Sequence, residues 1–260
     1  MPQSTPDAGV EGPTGGPEEP AGWPYADPDP SNVGWTTTAL LRPEGTWSFR
    51  TTNVALWELA YALKPYVELG LAVHTMDLGL GIALPMILMN VGVAPTARFA
   101  AQLADGVSAG LSTQLGFWFT SASPDRIILV WNATPALTIG SPDLFLNVAV
   151  GIWGLTSFWL EGRASHPYTL ATFLPSVGGN WRVSRRTKIH AELVAPAVVF
   201  EGGRSAFPYG TAWALSYGVG VFGESIWGDI GFLLPLWEDI WDVLQYLPCG
   251  LPLFRFGVRL

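Results

Sequence analysis

Cysteine is nearly absent from this chain: Cys249 is the one thiol in 260 residues, which excludes an intramolecular disulfide and any multi-cysteine metal site. Charge is sparse, at 13% of residues against 49% hydrophobic. Residues 1–34 hold six acids (Asp7, Glu11, Glu18, Glu19, Asp27, Asp29) and no Lys or Arg, whereas residues 35–260 hold 15 acids against 13 bases. The formal charge of −8 is therefore mostly a property of the leader. No basic patch exists to follow a phosphate backbone, so no nucleic-acid partner is expected. That leader, rich in Pro and Gly, lacks the apolar residues of a core and is expected to be disordered. It also lacks the basic start and apolar stretch of a signal peptide, so none is expected in this chain. Histidine is limited to His74, His166 and His190, and Glu238, Asp239 and Asp242 lack the spacing of a calcium loop. Neither a metal nor a cofactor is expected.

What the chain does have is glycine, tryptophan and alternation. A helix over "TAWALSYGVGVFGESIWGDIGFLLPL" would set glycines around its whole circumference, each costing about 1 kcal/mol against Ala. Read two residues at a time, the same stretch puts Trp213, Leu215, Tyr217, Val219 and Val221 on one face. Ala212, Ala214, Ser216, Gly218 and Gly220 fall on the other. The pattern restarts after Gly223-Glu224, as a β-hairpin would. The same alternation sorts Leu111, Leu115, Phe117 and Phe119 from Ser112, Gln114 and Gly116, and Leu144, Leu146, Val148 and Val150 from Asp143, Asn147, Ala149 and Gly151.

Extended along the chain, the alternation gives twelve strands near 35–42, 46–63, 66–80, 86–103, 106–120, 126–140, 143–157, 168–182, 186–200, 210–222, 225–237 and 252–260. Tight connections at Lys64-Pro65, Ala104-Asp105, Ser141-Pro142, 183–185 and Gly223-Glu224 alternate with mostly longer ones. Pro43-Glu44-Gly45 falls in the longer set although it is short. Short turns at one end and long loops at the other, with an even strand number, are the layout of a closed antiparallel transmembrane β-barrel. Lipid offers no hydrogen bonds to a free strand edge, so a sheet facing hydrocarbon must close. Trp35, Trp47, Trp57, Trp131, Trp181 and Trp213 share the outward parity, and those near strand ends suit an interfacial aromatic girdle. Two rivals remain. The charge-free run Leu78 to Ala97 is long enough for one membrane helix, although Pro85, Pro95 and three glycines interrupt it. A soluble sandwich would turn the same apolar faces inward.

The ending "PLFRFGVRL" resembles the last strand of bacterial outer-membrane β-barrel proteins, with Phe254, Phe256, Val258 and Leu260 alternating up to the final residue. In that class the last strand closes the barrel and its alternating apolar positions are read by the assembly machinery. The usual terminal aromatic is replaced here by Leu260. The resemblance covers residues 35–260 and implies outer-membrane residence, both termini on the periplasmic side, and lipid and the assembly machinery as partners.

With the apolar parity in lipid, the other parity lines the lumen: Arg50, Glu58, Glu68, His74, Arg98, Gln114, Arg182, Lys188, His190, Glu192, Asp229, Arg255 and Arg259. Both signs are present, so pairs across the wall are expected, in a wet lumen rather than an apolar pocket. Twelve strands lie between the filled eight-stranded barrel and the open sixteen-stranded one. "WEDIWDVLQYL", residues 237–247, has helical spacing and could plug the lumen or lie at the rim. His190 beside Lys188 and Glu192 could move a proton, but no serine motif accompanies it, and the chain is not expected to be an enzyme. Two functions are carried forward: a narrow pore for small polar solutes, and a non-conducting barrel that anchors an envelope-spanning assembly, with the acidic leader as the segment that would meet an envelope protein.

Overall fold

A computed structural model describes residues 37–52, 56–76, 90–120, 126–159, 168–195, 198–201, 204–206, 213–236 and 251–260. The described strands are β1 (Trp47–Thr52), β2 (Leu56–Lys64), β3 (Val67–Met76), β4 (Asn90–Ala104), β5 (Val107–Thr120), β6 (Arg126–Ser141) and β7 (Leu144–Trp159). They continue with β8 (Tyr168–Ser184), β9 (Thr187–Val194), β10 (Val198–Glu201), β11 (Arg204–Ala206), β12 (Trp213–Phe222), β13 (Ile226–Leu236) and β14 (Leu251–Arg259). Every pairing is antiparallel. Consecutive strands pair from β1 to β9, β9 pairs with β12, and β14 pairs back onto β1, which closes a twelve-stranded ring. The short β10–β11 hairpin prolongs the wall beside β8. The region 90–104 is strand, which removes the helical reading of Leu78 to Ala97 over the part described.

The barrel is inside-out relative to a soluble protein. Leu115, Phe117 and Val219 are 52%, 51% and 46% exposed, whereas Glu68 and Glu192 are 1% exposed. A soluble sandwich would show the reverse. Four two-residue turns and one three-residue connection gather at one end: Pro65-Tyr66, Asp105-Gly106, Pro142-Asp143, Arg185-Arg186 and Gly223-Glu224-Ser225. Gly106 there has φ +68°, a left-handed conformation that favours glycine. The C-terminus reaches the same end, where Leu260 and Trp47 exchange backbone hydrogen bonds.

Two expectations need correction, and they are linked. The stretch 46–63 is not one strand but the hairpin β1–β2, and 35–42 contributes no wall strand over its described part, 37–42. The count of twelve survives because one strand was lost and another gained. Trp47 pairs with Tyr61 and Thr52 with Leu56, so the same parity holds on both sides of residues 53–55. Alternation alone therefore cannot see that turn. Length could: 18 residues is far beyond the roughly 9 to 11 that a tilted strand needs to cross a bilayer. Pro43-Glu44-Gly45 accordingly sits at the short-turn end, where Gly45 N–H donates to Ala62 O and Glu44 pairs with Lys64 at 2.8 Å. The leader 1–34 and the amphipathic stretch 237–247 lie outside the described residues.

An outward belt of this kind predicts a depth-dependent response to charge. Val148→Arg, in the middle of the apolar face of β7, should cost about 2–4 kcal/mol, and Leu103→Arg, beside the turn after β4, about 0–1 kcal/mol. Denaturant titration of the protein folded into lipid vesicles measures both.

Candidate functional site: a charged lumen crossed by a strap

Residues 37–42 form a strap inside the barrel at its short-turn half. Ala39 N–H donates to Thr138 Oγ1 at 2.8 Å, that hydroxyl donates to Asn147 Oδ1 at 2.7 Å, and Asn147 Nδ2 donates back to Thr37 O at 3.2 Å. Thr138 on β6 and Asn147 on β7 are opposite each other in register, which is why one hydroxyl and one amide can hold two strap residues. At the other end Arg42 Nη1 meets Glu68 Oε2 on β3 at 2.7 Å. Between these ends the strap runs against β5, where a Cβ on Gly110 would lie 2.9 Å from Ala39 Cα. The strap is a chord from β3 to β7, and glycine at 110 lets it approach the wall.

Strand register assembles the charges. Arg50 on β1 is opposite Glu58 on β2, Glu68 on β3 opposite Arg98 on β4, and Asp229 on β13 opposite Arg255 on β14. Opposite charges facing each other across neighbouring strands stabilise a sheet. Here they also join sideways. Arg50 donates through Nε and Nη2 to Glu58 Oε2, and Arg98 reaches Glu58 Oε1 at 3.2 Å and Glu68 Oε1 at 3.0 Å. With Arg42 on the far side of Glu68, the row runs Arg42, Glu68, Arg98, Glu58, Arg50. Arg42, Glu58, Glu68 and Arg98 are all buried. Arg255 Nη2 meets Asp229 Oδ2 at 2.7 Å, and His190 Nδ1 stands 3.3 Å from the same oxygen without hydrogen-bond geometry.

On β9, Lys188, His190 and Glu192 are buried on the lumen side and lie along the wall rather than across it. Glycines on neighbouring strands make this possible. A Cβ at Gly178 would stand 2.8 Å from Glu192 Cβ, one at Gly218 2.7 Å from His190 Cε1, and one at Gly220 3.0 Å from Lys188 Cε.

The remaining candidates divide. Gln114 on β5 accepts from Asn132 Nδ2 at 3.4 Å. Arg182 is buried but serves the short-turn end: opposite the like-charged Lys188, it turns to Asp143 at 2.9 Å and to the Ser184 and Arg185 carbonyls. Arg259 donates to Glu224 O at the rim rather than joining the lumen row. His74 lies on β3 opposite Leu56 and Gly92. Of the C-terminal apolar residues, Phe254, Phe256 and Leu260 are exposed outward, and Val258 is half-buried.

Above the strap the lumen opens into a cavity of about 330 Å³. Arg50, Glu58, Arg98 and Arg255 border it, as do Leu56, Trp153, Leu174, Val194 and Trp227. These five apolar residues are on the inward parity and correct the reading of a uniformly polar lumen. Applying the alternation to every residue of the inward set would have found them. Arg42 was missed for a different reason, since it sits on a segment taken for wall.

A closed, even-stranded antiparallel barrel with an apolar exterior and a charged interior is the architecture of the outer-membrane β-barrel class. No family model matches the chain, and no curated protein does. Among solved structures it is similar to a CymD monoaromatic hydrocarbon channel, at 11% identity and a TM-score of 0.35 over 84% of this chain and 87% of that one. It is also similar to the outer-membrane expressed OmpT of Vibrio cholerae, at 9% identity and a TM-score of 0.30 over 85% of this chain and 99% of that one. The fold assignment rests on the strand pairing itself and not on these likenesses.

Removing one member of a buried ion pair strands its partner, at a cost of about 3–5 kcal/mol. Arg98→Met takes one guanidinium from each of Glu58 and Glu68, which keep Arg50 and Arg42, and should therefore lower stability by less than that, about 1.5–3 kcal/mol, in vesicle unfolding. Thr138→Val should loosen the strap without touching a charge. In a Cys249→Ser background, a thiol placed by Ala39→Cys should then react faster with a water-soluble maleimide.

Proposed function

We propose that the protein is an outer-membrane channel for small solutes, narrowed on its periplasmic side by the 37–42 strap. The observation that carries this reading is the cavity above the strap, large enough for a small molecule and bordered by charged groups. Short turns face the periplasm in this class, and on that orientation the strap lies at the inner mouth. Trp47 and Trp181 lie near the short-turn ends of their strands, and Trp57 and Trp213 begin theirs from the other end. These positions suit two aromatic girdles. The strap is not one of the twelve wall strands, so its displacement requires no unfolding of the wall.

The same strap motivates the second reading, a non-conducting barrel whose acidic leader engages an envelope-spanning assembly. Single-channel recording of the folded protein in a planar bilayer separates the two. Small discrete steps are expected from the native chain, and steps several-fold larger from a Thr138→Val, Asn147→Leu double variant, in which two polar anchors of the strap are gone. Silence from both, in protein shown to be inserted, would discard the channel and leave the anchor.

A further inference from the structure

The cavity above the strap has two unlike walls. In ring order the charged residues Arg255, Arg50, Glu58 and Arg98 belong to β14, β1, β2 and β4. Trp153, Leu174 and Val194 belong to β7, β8 and β9, on the opposite side of the twelve-stranded ring, while Leu56 on β2 and Trp227 on β13 stand among the charged strands. A molecule in this space meets guanidinium on one side only, and apolar surface without charge on the other.

Of the guanidiniums that border the cavity, Arg50 is the one best placed to meet a ligand. Its Nε and Nη2 are taken by Glu58 Oε2, and its planar fork retains Nη1 as a further donor at the cavity. Across the floor, the Thr37 hydroxyl of the strap is buried at the cavity edge with no hydrogen-bond partner. A buried hydroxyl without a partner is costly, and an acceptor oxygen in the cavity would satisfy it.

We propose that this cavity is a binding site for small monocarboxylates that carry an apolar body. The carboxylate faces Arg50 and the Thr37 hydroxyl, and the body lies against Trp153 and Leu174. An inorganic anion would leave the apolar wall unused, and a neutral hydrocarbon would leave the Arg50 and Thr37 donors unmet. The proposal rests on the channel reading for the onward passage of the ligand, but the binding step is measurable apart from it. The strap supplies one of the two polar contacts, so the residues that narrow the channel also complete its site.

The test uses the full chain folded in detergent, with 4-fluorobenzoate followed by ¹⁹F NMR and acetate and benzylammonium as competitors. Saturable binding is expected, displaced poorly by acetate and not by benzylammonium. Arg50→Gln should weaken it by about tenfold or more, because a hydrogen bond to a charged group is lost. Glu58 keeps Arg98 in that variant, so the fold is expected to survive. Trp153→Ala should weaken fluorobenzoate while leaving acetate unchanged. No saturable binding, equal competition by benzylammonium, or an Arg50→Gln variant that binds as tightly as the native chain would overturn the proposal. Binding as described with no current or uptake in bilayers would uphold the site and sink the channel reading; current without binding would do the opposite.

Discussion

Everything in this structure depends on the backbone having no partner in lipid. A strand edge open to hydrocarbon would leave a row of N–H and C=O groups unsatisfied, each at a cost of several kcal/mol. The sheet therefore closes, through β14 against β1, and the exchange of backbone hydrogen bonds between Leu260 and Trp47 completes that seam at the short-turn end. Closure imposes a division on every strand, because a period of two leaves one side chain in lipid and the next in the lumen. With the apolar residues outside, the interior has to be filled with what remains.

How it is filled explains the charged row. Guanidinium and carboxylate groups in a confined interior are tolerable only as pairs with their hydrogen bonds satisfied. Register sets those pairs opposite one another, since Arg50, Glu68 and Asp229 each face an opposite charge on the next strand. Glycine supplies the room on the far wall, where Gly178, Gly218 and Gly220 let Glu192, His190 and Lys188 lie flat. The lumen thus has a wall that projects charge, a wall that folds it away, and a strap across the third between β3 and β7. The cavity is the volume these three leave unfilled.

The strap couples the start of the described chain to the inside of the barrel. Its anchors include an ion pair and a short relay through Thr138 and Asn147. Both functional readings turn on it, since a segment that crosses the lumen outside the wall can narrow a passage and can also be displaced.

The alternation in the sequence by itself determined which side chains face lipid, the end at which the tight turns gather, and the set from which the lumen is built. Those features are local, because parity and turn chemistry are carried by neighbouring residues. Trp153, Leu174 and Trp227 were legible in the same way, as inward-parity residues, though their polarity hid them. What only the tertiary structure decided is how distant segments meet. Parity runs unbroken through residues 53–55, so the β1–β2 hairpin is invisible to it. Residues 35–42 read as a wall strand, and nothing local says that Thr37 to Arg42 cross the lumen instead. Their partners, Thr138, Asn147 and Glu68, are brought to them only when the ring closes. The cavity exists for the same reason: its guanidiniums and the surface of Trp153, Leu174 and Val194 come from opposite sides of the barrel and meet only when the ring closes.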